Sequence, residues 1–228
     1  MLRSVLRFLV RGFFRTLTRF EVQGLNHIPG HGGMVLAVNH LSRFDPPALF
    51  AVIKRRDLTA LVADKYKSYP IIVLVVKIVG GIWIHREDTD FRALRDATEY
   101  LHNGGLLGIA PEGTRSSQGL IAAKTGVAYL ADKAGVPVIP VAVSGTDRIF
   151  QTWARLRRPR VSVRIGEPFC LPPLERKNRA APLELKSRGA QLQENTDQIM
   201  LRIAAMLPEE YRGVYAGDPR LEAYLSKP

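Results

Sequence analysis

A histidine and an aspartate in the segment NHLSRFDPP, residues 39–47, have residue types and a spacing that suit proton transfer. The apolar run Met34–Val38 predicts a strand that delivers His40 to its carboxyl end, where ligands gather in open α/β sheets. Asp45, followed by two prolines, predicts the start of a helix. On one continuous helix the two side chains would point about 140° apart, so only a turn between them lets the carboxylate reach the imidazole. With that turn, His40 is a general base oriented by Asp45; without it, Asp45 only caps its helix.

Two further predicted strands also end in charged or polar residues. The earlier one leads to Arg86, whose planar guanidinium suits a phosphate, although a salt bridge to a neighbouring carboxylate is an equal alternative. The later one leads to the segment PEGTRS, residues 111–116. There Gly113 permits a close backbone approach, and Thr114 with Arg115 can hold an anion. Taken alone, this segment is equally well a polar turn.

The elements that position these residues follow from the hydrophobic pattern. Strands are predicted at Met34–Val38, Thr59–Ala63, Gly81–Ile84, Leu106–Ile109, Val138–Val143 and Val161–Ile165. Helices are predicted at Pro46–Ile53, Tyr69–Val79, Thr89–His102 and Lys124–Ala134, and over residues 183–207. Strands separated by helices indicate βαβ units. We therefore predict an α/β fold with a mostly parallel sheet flanked by helices.

The first twenty residues contain five arginines and no acidic residue. The arginines recur at every fourth position and share one face of a helix, with large apolar residues on the other face. This pattern predicts an amphipathic helix on a membrane surface, with its arginines towards lipid phosphates. The residues that we expect to bind the membrane are Arg3, Arg7, Phe8, Arg11, Phe13, Phe14 and Arg15. Packing of the apolar face on the protein itself and a mitochondrial transit peptide are the alternatives.

Composition narrows the class of protein. The 228 residues are 46% hydrophobic and 24% charged, which excludes a disordered or fibrous chain. A single cysteine, Cys170, excludes an intrachain disulfide framework and favours a protein that faces the cytosol. The net charge of +12 requires an anionic partner, and the apolar face opposite the arginines favours lipid over nucleic acid. The run Ile71–Ile84 is too short to span a bilayer and is predicted to be buried core.

Other chemistries lack their signatures. The histidines and carboxylates near the strand ends have no recognised metal-ligand spacing, so we predict no metal site. Lys124 and Thr125 do not follow the glycines that a phosphate loop needs. No nucleophile elbow is present, and no histidine lies near Cys170 in the sequence.

Four segments in series resemble the glycerolipid acyltransferases typified by 1-acylglycerol-3-phosphate O-acyltransferase. The family pattern N-H-x-S-x-x-D-P matches residues 39–46, and E-G-T-R-S matches residues 112–116 without a change. The pattern G-x-I-F-I-x-R resembles residues 80–86 with Trp83 as the aromatic, and V-P-I-x-P-V resembles residues 136–141. The resemblance covers residues 22–170. One departure is Ala123, where many relatives carry a basic and aromatic run, and it bears on substrate preference.

This resemblance implies transfer of a fatty acyl group from acyl-CoA or acyl carrier protein to lysophosphatidate, with no cofactor and no nucleic acid. It implies that His40 and Asp45 are catalytic. It further implies that the acceptor is bound by Asn39, Arg86, Glu112, Gly113, Thr114 and Arg115. Val35 and the run Ile71–Ile84 are candidates to line an acyl tunnel. Another lysolipid acceptor, in phospholipid remodelling or ornithine-lipid synthesis, and a non-catalytic lipid-binding protein remain alternatives.

The organisation that follows has three parts. Residues 1–21 form the amphipathic membrane-surface helix, residues 22–172 the glycerolipid acyltransferase domain, and residues 173–228 a C-terminal helical extension packed on that domain. We expect a peripheral or monotopic protein on the cytoplasmic face of the cell membrane, since substrate and product would both reside in the bilayer.

Overall fold

The structure, a computed structural model, describes residues 1–85, 90–174 and 182–225. Its strands are β1 Arg19–Gln23, β2 Met34–Val38, β3 Leu58–Ala63, β4 Ile82–Ile84, β5 Leu106–Ile109, β6 Val138–Ser144 and β7 Arg160–Ile165. Its α-helices are α1 Leu2–Leu17, α2 Asp45–Val52, α3 Pro70–Val79, α4 Phe91–His102, α5 Gly126–Ala134, α6 Ile149–Trp153, α7 Pro182–Met206 and α8 Glu222–Leu225. Short 3-10 helices occupy several of the connections.

All seven strands form one sheet in the order β1-β7-β6-β2-β5-β3-β4. The five strands from β6 to β4 are parallel, whereas β7 is antiparallel to β6 and β1 is parallel to β7. The prediction of a mostly parallel sheet flanked by helices is confirmed. The carboxyl ends of β2, β5 and β6 are neighbours at one edge, and this is where the sequence places its polar segments.

Residues that alternate along β2 belong to two hydrophobic cores, one on each face of the sheet. Val35 packs with α4, α5 and α7 on one face, whereas Leu36 packs with α1 and α2 on the other. Both faces of a central parallel strand are covered, which explains why β2 is apolar at every position. Val35 therefore lies on the face opposite α1 and α2.

The N-terminal helix is shorter than predicted. It ends at Leu17, and Arg19–Gln23 form the edge strand β1 beside β7. Alternating exposed and half-buried side chains in β1 identify a strand with one covered face. The predicted helix extends to residue 21 because Arg19 and Phe20 continue its periodicity.

Two arginines of α1 point towards the protein rather than away from it. Arg7 donates hydrogen bonds to the carbonyl oxygens of Phe50, Lys54 and Arg55 at 2.9–3.1 Å. Arg3 donates to carbonyl oxygens at the end of α3 and at the start of β3. The last carbonyl groups of a helix have no partner within it, and a guanidinium satisfies several of them at once. This orientation differs from the predicted contact of both arginines with lipid phosphates.

The two central phenylalanines of α1 also differ from the prediction. Phe14 is fully buried in the core, and Phe13 packs edge-on against Phe14 and Trp153. Neither side chain lies on the outer surface of the helix, because this half of α1 covers the sheet. Phe8 remains exposed, as do Leu2, Val5 and Leu9, so the helix still presents an apolar outer face.

Helix α3 is not buried core. Of its ten residues only Val76 is buried, while Ile71 and Leu74 are 79% and 56% exposed. A helix that is apolar on all sides but covered on only one exposes a hydrophobic surface. Among the described helices none is both long enough and apolar enough to cross a bilayer.

Helix α7 and the segment that follows it pack on the sheet. Helix α7 contributes the buried residues Ile199, Met200 and Ile203 to the core that contains α4 and α5. Two tyrosines beyond α7 are buried in the same core, Tyr211 and Tyr215. The extension thus belongs to the same folded unit as the sheet.

Candidate active site

His40 and Asp45 form a hydrogen-bonded pair. The chain turns between the end of β2 and the start of α2, and Nδ1 of His40 lies 2.7 Å from Oδ2 of Asp45. Asp45 is 1% exposed, whereas the imidazole retains 17% exposure. Asp45 does not cap α2; its Oδ2 also accepts from the backbone N–H of Ser42 at 2.8 Å. An ionised carboxylate only accepts, so Nδ1 carries the proton and Nε2 is the basic nitrogen.

The segment that follows β5 holds the backbone of His40. The N–H of His40 donates to Oε2 of Glu112 at 2.7 Å, and its carbonyl oxygen accepts from the N–H of Ser116 at 2.9 Å. The two segments that resemble the acyltransferase family are therefore bonded to one another at the histidine. Two backbone hydrogen bonds fix the direction from which the imidazole leaves the chain.

Glu112 is buried, with 2% exposure, so its carboxylate is not open to a substrate. Its Oε1 accepts from the N–H of Ile121 at 3.3 Å, so both carboxyl oxygens have backbone donors. Burial raises the pKa of Glu112 to about 7, and the N–H groups of His40 and Ile121 oppose that rise. The family resemblance implies that Glu112 binds the acceptor, whereas in the structure its carboxylate is bonded to the backbone of His40.

Asn39 also has a structural position. Its amide nitrogen donates to the carbonyl oxygen of Val143 at 2.9 Å, and its amide oxygen accepts from the N–H of Val143 at 2.7 Å. This side chain continues the pairing of β2 with β6 by one step beyond the end of β2. Asn39 is fully buried, which differs from the expected contact with the acceptor.

Arg115 and Thr114 are exposed, and the next residue, Ser116, is hydrogen-bonded to the backbone of His40. The guanidinium of Arg115 donates to the hydroxyl of Tyr66 at 2.8 Å, an interaction that the sequence analysis missed. Gly113 adopts φ 68°, a left-handed conformation that favours glycine, and lets the chain reverse between Glu112 and Thr114. Arg86 lies outside the described residues.

An apolar cavity of about 300 Å³ adjoins the His40–Asp45 pair. Leu36 and Val38 of β2 line it, together with Leu6 and Val10 of α1. Val75 and Val79 of α3, and residues of α2, β3 and β5, complete the lining. Of the two candidate tunnel segments, the run Ile71–Ile84 contributes residues, whereas Val35 packs in the core on the other face. A cavity with one polar wall suits a ligand that is mostly hydrocarbon.

A second cavity, of about 670 Å³, lies between α4, α5 and the end of β5. Its lining includes Gly113 and Lys124, and it shares Leu61, Ile109 and Ala110 with the apolar cavity. The two cavities therefore share part of their lining, at Leu61 of β3 and at the end of β5. No group of three His, Cys, Asp or Glu side chains in the described part of the chain is placed to hold a metal ion.

The C-terminal extension supports the site from behind. The N–H of Leu120 donates to the carbonyl oxygen of Tyr211 at 3.0 Å, and the N–H of Ala123 donates to the hydroxyl of Tyr215 at 3.3 Å. These bonds hold the loop whose Ile121 binds Glu112. The sequence has no motif at these tyrosines, and only the tertiary structure reveals their contact with the loop.

Comparison with known proteins agrees with this geometry. A family model described as Acyltransferase matches residues 19–144, from the start of β1 to the end of β6. The match covers more than half of the chain and contains the His40–Asp45 pair. The chain belongs to the Acyltransferase family. Apart from Leu6 and Val10, the residues that line the apolar cavity all lie within the matched stretch.

Individual members of the Acyltransferase family resemble the chain at modest identity. The 1-acyl-sn-glycerol-3-phosphate acyltransferase beta of Homo sapiens is 30% identical over 156 residues, which are 65% of this chain and 55% of that protein. A 1-acyl-sn-glycerol-3-phosphate acyltransferase of Borreliella burgdorferi is 26% identical over 132 residues, 57% of this chain and 52% of that protein. The chain therefore spans about half the length of these relatives.

A solved structure has the same fold. The crystal structure of the 1-acyl-sn-glycerophosphate (LPA) acyltransferase PlsC from Thermotoga maritima superposes with a TM-score of 0.61. The match covers 86% of this chain and 79% of that one, at 24% sequence identity. At this identity the likeness establishes the fold alone.

Proposed function

We propose that this protein transfers a fatty acyl group from a thioester to the sn-2 hydroxyl of 1-acylglycerol-3-phosphate, giving phosphatidate. The observation that carries the proposal is the His40–Asp45 pair at the wall of an apolar cavity. A base beside a hydrocarbon-sized cavity suits a reaction between a hydroxyl and a fatty acyl thioester. The names of the human and Borreliella relatives support this acceptor.

The thioester is already activated, so a general base is sufficient and no protein nucleophile is needed. Nε2 of His40 takes the proton from the acceptor hydroxyl as its oxygen bonds to the acyl carbonyl carbon. The carbonyl π electrons move to oxygen, then re-form the double bond as the carbon–sulfur bond breaks. The departing thiolate takes the proton from His40. Asp45 stabilises the imidazolium that exists between the two transfers.

The acceptor phosphate binds at the mouth of the site in this proposal. Arg115 is exposed there, and the Tyr66 hydroxyl at 2.8 Å orients its guanidinium. A guanidinium binds phosphate through two parallel hydrogen bonds, which fixes the distance from headgroup to reacting hydroxyl. Arg86 stays a predicted second phosphate ligand. Acyl-CoA or acyl carrier protein is the donor, and the reaction as proposed uses no cofactor.

The first experiment measures acyl transfer from radiolabelled oleoyl-CoA to lysophosphatidate, beside lysophosphatidylcholine and lyso-ornithine lipid. Transfer to lysophosphatidate alone is the expected result. Transfer only to another acceptor would retain the chemistry and assign the protein to phospholipid remodelling or ornithine-lipid synthesis. No transfer to any of them, with acyl carrier protein also tried as donor, would favour a lipid-binding protein without catalysis.

We propose further that the exposed apolar residues of α1 and α3 bind a membrane surface. The two helices are in contact, and both line the apolar cavity through other residues. Phe8 on α1 and Leu74 on α3 are 75% and 56% exposed. Arg15 is exposed at the end of α1 and remains a predicted contact for lipid phosphate, together with half-buried Arg11. Peripheral association with the cytoplasmic face of the cell membrane is the proposed location.

Replacing Phe8 or Leu74 with aspartate is expected to weaken binding to anionic vesicles by about tenfold or more each. A buried side chain of this size contributes about 1.5–3 kcal/mol, and an aspartate also repels the lipid headgroups. Sedimentation with phosphatidylglycerol vesicles measures the effect. Point variants are preferable to deletion of residues 1–20, since Phe14 and two of the five residues of β1 would be lost with that segment.

The matched control for the vesicle experiment is Val214→Asp. Val214 is 64% exposed, lies in the C-terminal extension and receives the same change of charge. It is expected to leave vesicle binding within twofold of that of the wild type. If the Val214 variant weakened binding as much as the Phe8 variant, general charge repulsion would explain the loss and the proposed surface would be wrong.

A further inference from the structure

Asp45 has a third hydrogen-bond partner, on the oxygen that does not face His40. Oγ1 of Thr146 lies 2.5 Å from Oδ1 of Asp45. Oδ2 accepts from His40 and from the N–H of Ser42, so the two carboxyl oxygens have different partners. Both Thr146 and Asp45 are only 1% exposed. Because an ionised carboxylate only accepts, the threonine hydroxyl is the donor.

The fold brings Thr146 to this position from the neighbouring strand. Thr146 follows β6, whereas Asp45 follows β2, and these strands are adjacent in the sheet. Gly145 lies between the end of β6 and Thr146 and adopts φ 80°. A Cβ atom there would lie 2.0 Å from the carbonyl oxygen of Arg160. A glycine is therefore required at the turn that directs the hydroxyl to the carboxylate.

We infer that Thr146 is a positioning residue, which holds the Asp45 carboxylate in the rotation that directs Oδ2 at Nδ1 of His40. The inference rests on the proposed function, in which His40 is the base. Thr146 does not contact the imidazole itself and acts only through Asp45. It lies two residues beyond the stretch matched by the Acyltransferase family model.

A purely structural role for this hydroxyl has different consequences. A threonine that only satisfies its own buried hydroxyl affects stability when it is replaced by valine. A threonine that orients Asp45 also affects the step in which His40 takes a proton. Without its donor, Oδ1 is a buried charged oxygen with one hydrogen bond fewer, and the carboxylate is free to rotate away from the imidazole. The loss then falls on kcat rather than on KM.

The experiment compares Thr146→Val and Thr146→Ser with the wild type in the acyl-transfer assay. Thr146→Val is expected to lower kcat by about tenfold or more, with KM for the acceptor within twofold. Thr146→Ser restores the hydroxyl and is expected to retain at least about a third of the wild-type kcat. Wild-type kcat in the valine variant, or a serine variant as slow as the valine variant, would overturn the inference.

Thr196→Val is the matched control. Thr196 is likewise buried, and its hydroxyl donates to the carbonyl oxygen of Leu192 within α7, away from His40. Its replacement is expected to alter the melting temperature while leaving kcat within twofold. An equal loss of kcat in the Thr196 and Thr146 variants would assign the effect to lost stability and reject the positioning role.

A spectroscopic readout separates this inference from the proposed function. In protein labelled with ¹⁵N-histidine, the Nδ1–H proton of His40 is assigned by its absence in His40→Ala. This signal is expected to shift or to broaden by exchange in Thr146→Val and to be kept in Thr146→Ser and Thr196→Val. An unchanged signal in Thr146→Val would contradict the inference. If this signal is lost in Thr146→Val while the wild-type protein acylates none of the acceptors, the positioning role is supported and the proposed function is refuted.

Discussion

Replacing His40 with alanine is expected to lower kcat for acyl transfer by about 10²–10⁴-fold, the usual contribution of a positioned general base. The imidazole is the group whose Nε2 takes the hydroxyl proton, while its Nδ1 is bonded to Asp45 at 2.7 Å. Vesicle binding should be unaffected, because His40 is not one of the exposed apolar residues of α1 and α3. Initial rates at saturating acceptor, with vesicle sedimentation on the same samples, measure both properties.

The partner of His40 provides the stricter test. Asp45→Asn keeps the shape of the side chain but is expected to be impaired severely, since an amide neither stabilises the imidazolium nor fixes the same tautomer. Residues that act as one unit are not additive, so the double variant should be no slower than His40→Ala. His31→Ala, at an exposed position in a loop, is the control and should remain fully active. Multiplicative losses in the double variant would show that the two residues act separately.

The second large effect concerns the pH dependence of stability at Glu112. The pKa of Glu112 is about 7 in the folded protein against 4.5 for the free side chain, chiefly because of burial. Between these values the folded state binds more protons than the unfolded state, so the free energy of unfolding falls as pH rises. The loss of stability caused by ionising the buried Glu112 carboxyl is absent well below pH 4.5. It is complete above pH 7, where it reaches about 3 kcal/mol.

Glu112→Gln removes this titration. The free energy of unfolding of the variant, minus that of the wild type, is therefore expected to increase by about 2–3 kcal/mol between pH 5 and pH 8. Urea unfolding of both proteins at each pH measures this difference. The glutamine amide also places an NH2 donor beside one of the two backbone N–H groups, which lowers the free energy of unfolding equally at every pH. Comparing the two pH values removes this constant contribution. Glu99→Gln, at an exposed carboxylate, should show no such increase; a flat difference for Glu112→Gln would mean that its carboxyl titrates normally.

Much of the fold and of the catalytic pair was predictable from local pattern. Short apolar runs separated by helical segments determine a parallel sheet, and its strand ends determine where polar segments meet. The turn between His40 and Asp45 was a requirement of the chemistry, and the structure contains it. These features depend on residues close together in the sequence, which explains why a single sequence indicates them.

The orientation of α1 was not predictable in the same way. Its periodicity defines two faces, but it does not determine which face meets the protein. Arg3 and Arg7 turn inwards because carbonyl groups at the ends of α2 and α3 lie beside them, and those groups come from distant parts of the chain. The same limitation applies to Phe14, which is apolar in either environment and is buried by tertiary packing.

Burial also decides the roles of two polar residues whose structural positions the sequence alone does not indicate. Glu112 and Thr146 are both residues that a sequence analysis assigns to solvent or to a ligand by default. In the structure each is buried and is bonded to a neighbour of the reaction centre, one to the backbone of His40 and the other to Asp45. Their roles follow from the strand order, which places β5 and β6 on either side of β2.

The pairing of β1 with β7 has a consequence for the order of folding. Arg19 pairs with Arg160, so the ribosome releases β1 about 140 residues before its partner. At roughly 5–20 residues per second, that interval is about 7 to 30 seconds. During it the core that contains Phe14 and contacts Phe20 lacks the buried residues of β7, Val161, Val163 and Ile165. Contacts so distant in sequence also close slowly once both strands exist. The β1 edge of the sheet therefore cannot pair until β7, the last of the seven described strands in the sequence, has been made.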